Sequence, residues 1–335
     1  MTALPAQHID DRLNNNDNDR RACRSFLSVT ELDRDEWSRL LDLADRLKAD
    51  PLSVVGALDN RQIAMIFEKP SLRTRVSFDA GIARMGGRAM YLDESRSRLG
   101  EREPIKDYAR NLERYVDGIV ARVHEHTALA ELARHCSIPV VNALSDHEHP
   151  CQAAADIMTL RERLGTLDNA RLAYLGDGNN VCHSLMRLAA TMGVSTTVIT
   201  PPNRGPDPAV ARTAAHLAAA SGASVELSHD PAAAEGHHAV YTDKWVSMGS
   251  DNTGKSGKTA QDLFAPYRVD DALMTLAAKG VDMPPLFMHC LPATRGDEVT
   301  ASIIDGPNSA VYDQAENRMH AQNALLLILY GLDTA

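Results

Sequence analysis

The stretch Ile63-Ala64-Met65-Ile66-Phe67-Glu68-Lys69-Pro70-Ser71-Leu72-Arg73-Thr74-Arg75-Val76-Ser77-Phe78 holds an apolar run, a short polar turn and the start of an amphipathic segment. The run Ile63–Phe67 is continuous rather than alternating, the pattern of a strand covered on both faces. Ser71, just after Pro70, is placed to cap a helix, its hydroxyl accepting from a first-turn N–H. A strand that feeds a helix through such a turn is one βα step, and repeated βα steps build parallel sheets.

The same step recurs along the chain. Arg88–Leu92, Gly118–Val123, Pro139–Ala143, Leu172–Leu175, Thr196–Thr200, Ser224–Leu227, Ala239–Thr242 and Leu286–Cys290 read as further strands. Amphipathic segments separate them, notably Gln152–Leu164, Val181–Thr191 and Ala209–Ala220. Ahead of the first strand, Leu32, Trp37, Leu40, Leu41, Ala44 and Leu47 mark one face of a helix, for which Thr30 and Asp33 offer a cap. The expected class is α/β, with two lobes, each a mostly parallel sheet flanked by helices, joined by interdomain helices around a cleft. A length of 335 residues suits two domains, at ~150 residues each. Residues 1–24 offer no apolar periodicity and are expected to form a disordered arm. The first lobe then covers 25–150, the second 151–315, and a C-terminal helix over 316–335 is in a position to pack across the junction.

Asp and Glu number 45 against 35 Lys and Arg, a formal charge of −10. That sign disfavours nucleic acid or an anionic membrane as the main partner. The longest strongly apolar run, Ala324–Leu332, falls far short of the ~20 residues that span a bilayer. The polar N-terminal arm lacks the apolar core of a secretory signal. Cys23, Cys136, Cys151, Cys182 and Cys290 are odd in number, widely spaced and without a CxxC pair. They argue for a reducing cytoplasm and against a disulfide scaffold or a structural zinc site. His147 and His149, the densest histidines, do not form HExxH, so no metal is expected.

Chemistry concentrates in a few segments. Ser71-Leu72-Arg73-Thr74-Arg75 places hydroxyls and guanidiniums in the first turn of a helix. Positive charge there opposes the helix dipole, so the segment reads as an anion site of the phosphate kind. A solvated basic helix start is the plainer alternative. His149-Pro150-Cys151-Gln152 follows the strand Pro139–Ala143, at the end where open α/β sheets bind ligands. A capped helix with a surface histidine reads as well there. Leu175-Gly176-Asp177-Gly178-Asn179-Asn180-Val181 begins like a dinucleotide fingerprint. Val181 stands where the third glycine belongs, however, and the next strand ends at Thr200-Pro201-Pro202 without an acidic residue for a ribose. Thr242-Asp243-Lys244-Trp245-Val246-Ser247-Met248-Gly249 and Met288-His289-Cys290-Leu291-Pro292 close two more strands. Asp243 suits an ammonium group. Cys290 has only His289 beside it, on the opposite strand face, so a covalent Cys–His pair is poorly supported and a buried structural cysteine is the commoner case.

Taken together, these segments resemble the aspartate/ornithine carbamoyltransferase family, its ornithine branch in particular, from about Phe26 to Leu332. Ser71–Arg75 matches the family's carbamoyl phosphate loop, and Gly100-Glu101-Arg102-Glu103-Pro104-Ile105-Lys106-Asp107 resembles the stretch after it. The resemblance implies that Ser71, Leu72, Arg73, Thr74, Arg122, His149, Gln152 and Arg318 hold carbamoyl phosphate. It implies that Asn180, Asp243, Ser247, Met248, Cys290 and Leu291 hold L-ornithine, with Arg73, His149 and Cys290 catalytic. Leu72 departs from the threonine frequent in that loop, which loses a hydroxyl but keeps the backbone N–H. The implied reaction is carbamoyl transfer to the δ-amine, with no cofactor, in a cytoplasmic homotrimer or a multiple of one. Carbamoyl phosphate is expected to bind first, with Gly249–Lys258 closing over the amino acid as a lid. The alternatives are a sister transferase with N-acetylornithine, putrescine or aspartate as acceptor, an NAD-dependent dehydrogenase, and a non-catalytic binding protein on the same fold.

Overall fold

The computed structural model describes residues 25–245 and 259–333. The N-terminal arm, Ser247, Met248 and the Gly249–Lys258 segment lie outside the described residues. One parallel sheet holds β1 (Gln62–Phe67), β2 (Arg88–Asp93), β3 (Gly118–Arg122) and β4 (Val140–Leu144) in the order β2-β1-β3-β4. The other holds β5 (Arg171–Leu175), β6 (Ser195–Ile199), β7 (Val225–Ser228), β8 (Ala239–Thr242) and β9 (Leu286–His289) in the order β7-β6-β5-β8-β9, again all parallel. Each strand falls on a run read from the sequence, to within one residue at either end. The cause is burial: β1, β4 and β8 are almost wholly enclosed, so their apolar runs are uninterrupted.

The helices are α1 (Arg34–Ala49), α2 (Leu72–Arg84), α3 (Ile105–Leu112), α4 (His126–His135), α5 (Pro150–Leu164), α6 (Asn180–Thr191), α7 (Pro208–Ser221), α8 (Ala260–Phe264), α9 (Asp271–Ala277), α10 (Ala301–Ile304) and α11 (Val311–Leu329). Two starts differ from the sequence reading. The cap of α1 is Asp33, in a reciprocal capping box with Glu36, rather than Thr30. Thr30 belongs to a separate short 3-10 turn, Val29–Glu31, whose Val29 carbonyl accepts from the buried Trp37 indole at 3.0 Å. Helix α11 begins at Val311, a turn before Glu316, because its early buried positions include Gln314, Asn317 and Arg318 and so hide the apolar period. None of the described helices is long and apolar enough to cross a membrane.

The strand orders place the ligand crevices. Chain direction across the first sheet reverses between β1 and β3, and across the second between β5 and β8. Open α/β sheets leave a crevice at the carboxyl ends of such strands. Phe67 pairs with Arg122, and Thr242 pairs with both Leu175 and His289. The loops that follow these residues carry Ser71–Thr74 in one half and Asn179, Asp243 and Cys290 in the other.

Helices α5 and α11 form the seam. The inner faces of both sheets share one apolar cluster that includes Trp37, Leu41, Ile157, Met158, Leu185 and Leu325. The outer faces have separate clusters, around Ile66, Ile119 and Leu129 in one half and Val240, Val269 and Phe287 in the other. Every residue of α5 from Pro150 to Leu160 is buried. Even so, Gln152, Asp156 and Thr159 recur at i, i+4 and i+7, a spacing that lines one helix face. Buried polar groups must find partners, and α11, packed against α1, α2 and α5, supplies them.

Candidate active site

Ser71 caps α2 as its position suggested, accepting from the Thr74 N–H at 3.3 Å. The Ser71 hydroxyl donates to Thr74 Oγ1 at 2.9 Å. Thr74 Oγ1 also accepts from Arg318 Nη2 at 2.7 Å and from Arg122 Nη1 at 3.4 Å. Arginines from the end of β3 and from α11 thus meet at the first turn of α2, where helical N–H groups lack carbonyl partners within the helix. Arg73 joins them electrostatically, interacting with both Arg122 and Arg318. Burial, with Arg318 and Arg73 alongside, pulls the Arg122 guanidinium down to about 10. Concentrated positive charge of this kind is a site for a dianion. Arg75 takes no part, since its guanidinium lies 3.9 Å over the Tyr91 ring. Leu72 is 73% exposed and contributes no side-chain contact to the cluster.

His149 lies beside this group at the mouth of α5. Its N–H donates to Ser184 Oγ at 2.9 Å, and its Nδ1 has no hydrogen-bond partner among the described residues. Burial, and then Arg318, Arg122 and Arg73, hold the imidazole well below its ordinary range, so it is neutral. Arg318 Nη1 donates to Gln152 Oε1 at 3.1 Å.

In the second half, Asp243 follows β8 and Cys290 follows β9. The Cys290 thiol donates to Asp243 Oδ1 at 2.9 Å, and Asn179 Nδ2 donates to Asp243 Oδ2 at 2.9 Å. Burial pushes the Cys290 thiol well above its ordinary value, with the Asp243 charge adding to the effect. The group is therefore a thiol and not an activated thiolate. His289 Nδ1 accepts from the Leu291 N–H at 2.8 Å. Leu291 adopts φ 57°, a left-handed backbone that costs a branched residue ~1–2 kcal/mol. Among the described residues, Asp243, His289 and Cys290 are the one trio whose potential ligand atoms lie within 4.8 Å of one another. Two of its members, Cys290 and Asp243, are hydrogen-bonded to each other, and His289 Nδ1 is engaged by the Leu291 N–H.

Asn180 already has partners within the protein. Its Nδ2 donates to the Ser145 carbonyl at 2.6 Å and its Oδ1 accepts from Val181 N, so both ends of the amide are engaged. Asn179 is the neighbour that reaches Asp243, and it also caps α6. Reading the segment as a fingerprint drew attention to its glycines. Gly178 is needed for chain packing, since a Cβ there would sit 2.2 Å from Pro206 N. Two further residues had no motif to announce them: Asp156, and Gln314, whose Oε1 accepts from the His289 N–H at 2.9 Å. The signal for Asp156 is an acid four residues after Gln152 in the otherwise apolar run Ala153–Met158.

Two family models cover almost all of this chain. The aspartate/ornithine carbamoyltransferase carbamoyl-P binding domain matches residues 24–162, and the Asp/Orn binding domain of the same family matches residues 168–329. The ornithine carbamoyltransferase of Shewanella oneidensis is 48% identical over 308 residues, 92% of this chain and all of that protein. That of Methanothermobacter thermautotrophicus is 49% identical over 309 residues, 92% of this chain and 99% of that protein. The solved structure of ornithine carbamoyltransferase from Pyrococcus furiosus superposes with a TM-score of 0.86 at 43% identity, covering 92% of this chain and 98% of that one. With both domains of the family matched and similarity over about nine-tenths of its length, the chain belongs to the aspartate/ornithine carbamoyltransferase family.

Proposed function

We propose that the protein transfers the carbamoyl group of carbamoyl phosphate to the δ-amine of L-ornithine, giving L-citrulline and phosphate. The observation that carries this reading is the convergence of Arg73, Arg122 and Arg318 around Thr74, in the same cleft as the Asp243–Cys290 pair. The lobe over 25–150 takes carbamoyl phosphate and that over 151–315 takes ornithine. Ser71, Arg73, Thr74, Arg122, Arg318 and the Leu72 N–H hold the phosphate. Gln152 Oε1 accepts from the carbamoyl NH2. Asp243 holds the α-ammonium, and Asn180, Ser247, Met248 and Leu291 complete the amino-acid site.

The neutral δ-amine attacks the carbonyl carbon beside Cys290. Negative charge develops on the carbonyl oxygen, and Arg73, Thr74 and His149 serve it as donors, a kind of help worth ~3–4 kcal/mol per donor in acyl transfer. Collapse of the tetrahedral adduct breaks the carbon–oxygen bond to phosphate, which leaves into the arginine cluster and takes up the amine proton. A neutral His149 can donate without first surrendering a charge.

An N-acetylated acceptor would lack the ammonium that Asp243 suits, which favours free ornithine. A colorimetric citrulline assay with purified protein tests the reading against N-acetylornithine, putrescine and aspartate as rival acceptors. Ornithine is expected to exceed each by at least tenfold in kcat/KM, and preference for another acceptor would reject this assignment. The assembly we propose is a homotrimer or a multiple of one, for which Leu72 and Val76, exposed one turn apart on α2, supply apolar contact surface. Light scattering measures it. A reducing cytoplasm suits a site that uses Cys290 as a thiol.

A further inference from the structure

Carbamoyl phosphate presents an NH2 at one end, and the groups around it here are mostly donors: three guanidiniums, hydroxyls and helix N–H groups. The site therefore needs an acceptor, and a glutamine amide provides one only if it faces the right way. Gln152 is held from both sides. Its Oε1 accepts from Arg318 Nη1 at 3.1 Å, while its Nε2 donates to Asp156 Oδ1 at 2.7 Å. Turning the amide over would set its NH2 against the guanidinium and its oxygen against a carboxylate oxygen. The same Asp156 Oδ1 accepts from Gln314 Nε2 at 2.8 Å, which directs Gln314 Oε1 at the His289 N–H, one residue before Cys290. Asp156 is fully buried, with 0% of its surface exposed.

We propose that Asp156 is a positioning residue for carbamoyl transfer: one buried oxygen fixes two glutamine amides, so that Gln152 offers an acceptor to the carbamoyl NH2 and Gln314 braces the strand end that carries Cys290. Asp156 touches neither substrate. Its effect belongs to the carbamoyl end of the donor substrate and not to the phosphate end, which the arginines and α2 hold independently. The inference rests on the reaction proposed above and names how that site distinguishes carbamoyl phosphate from bare phosphate.

The test is a ratio. KM for carbamoyl phosphate and the inhibition constant of inorganic phosphate are measured by citrulline formation in the wild-type protein, Asp156→Leu and Asp156→Asn. Freeing the amide in Asp156→Leu should raise KM for carbamoyl phosphate about tenfold, the effect of one lost hydrogen bond, with the phosphate constant within about twofold of wild type. Asp156→Asn, which returns an acceptor oxygen, should rescue the ratio of the two constants. A merely structural role would weaken both ligands together, and that result, or an unchanged ratio in Asp156→Leu, overturns the proposal. Should Asp156→Leu fail to fold, Asp156→Ala, which also removes the acceptor oxygen, is read in its place. Parallel losses of carbamoyl phosphate and phosphate affinity in that variant would likewise overturn the proposal. A wild-type protein that makes no citrulline overturns both this inference and the reaction it rests on, whereas an active wild type with an unchanged ratio overturns this inference alone.

Discussion

Arg73 lies among Arg122, Arg318 and Cys290, whereas Arg75, two positions on, lies over Tyr91. Residue type alone leaves the two arginines at the start of α2 equivalent; the family resemblance picks Arg73, and the fold gives Arg75 another partner. Arg73→Ala removes charged hydrogen bonds worth ~1.5–3 kcal/mol each, and steady-state kinetics should show kcat/KM lower by roughly two to four orders of magnitude. Arg75→Ala, in contrast, should fall less than about tenfold. Cys290→Ala should raise KM for ornithine and leave that for carbamoyl phosphate nearly unchanged. Because burial and Asp243 keep the thiol protonated, Cys290 should also resist iodoacetamide near neutral pH, and rapid labelling would contradict the thiol assignment. The acceptor amine has an ordinary pKa near ~10.4, so the rate should climb from neutral to alkaline pH as the productive fraction of ornithine grows. His149, held below its ordinary range, stays neutral throughout that climb.

At the scale of elements, strands and caps were unequally legible. The nine strands of the described residues could be read because covered strands need unbroken apolar runs. The cap of α1 was misplaced because a 3-10 turn, tied to Trp37, intervenes before the helix. Asp33→Ala removes the true cap and should lower stability by about 1 kcal/mol in denaturant titration, while Thr30→Ala changes little. Beyond Gln152, the polar stripe of α5 is not legible in the sequence, because the partners of Asp156 and Thr159 lie more than 150 residues away on α11. Its Asp156 carboxyl is pushed up to about 6, chiefly by burial. A raised carboxyl stabilises the fold fully below its ordinary pKa near ~3.9, and that contribution is lost as pH rises through about 6. Asp156→Asn carries no such charge, so its Tm relative to wild type should improve between pH 5 and pH 8. An equal difference at both pH values would contradict the buried charge.

For the whole molecule, the order of motifs in the chain leaves open how the lobes are held together. The seam explains it. Helices α5 and α11 and the cluster around Trp37 join the inner faces of both sheets, while Asn180 reaches Ser145 and His149 reaches Ser184 across the cleft. The two halves meet at Cys290, which interacts electrostatically with Arg73, Arg122 and Arg318. Carbamoyl transfer needs the amine within ~3–3.5 Å of the carbonyl carbon, so the account depends on one molecule being able to engage both sets of residues at once. The direct measurement is the crystal structure with a bisubstrate analogue in which a phosphonoacetyl group is joined to the δ-nitrogen of ornithine. Phosphonate oxygens are expected within hydrogen-bond reach of Ser71, Arg73, Thr74, Arg122 and Arg318, with the α-ammonium against Asp243. A phosphonate bound away from α2, or an amino-acid end seated away from Asp243 and Cys290, would contradict it.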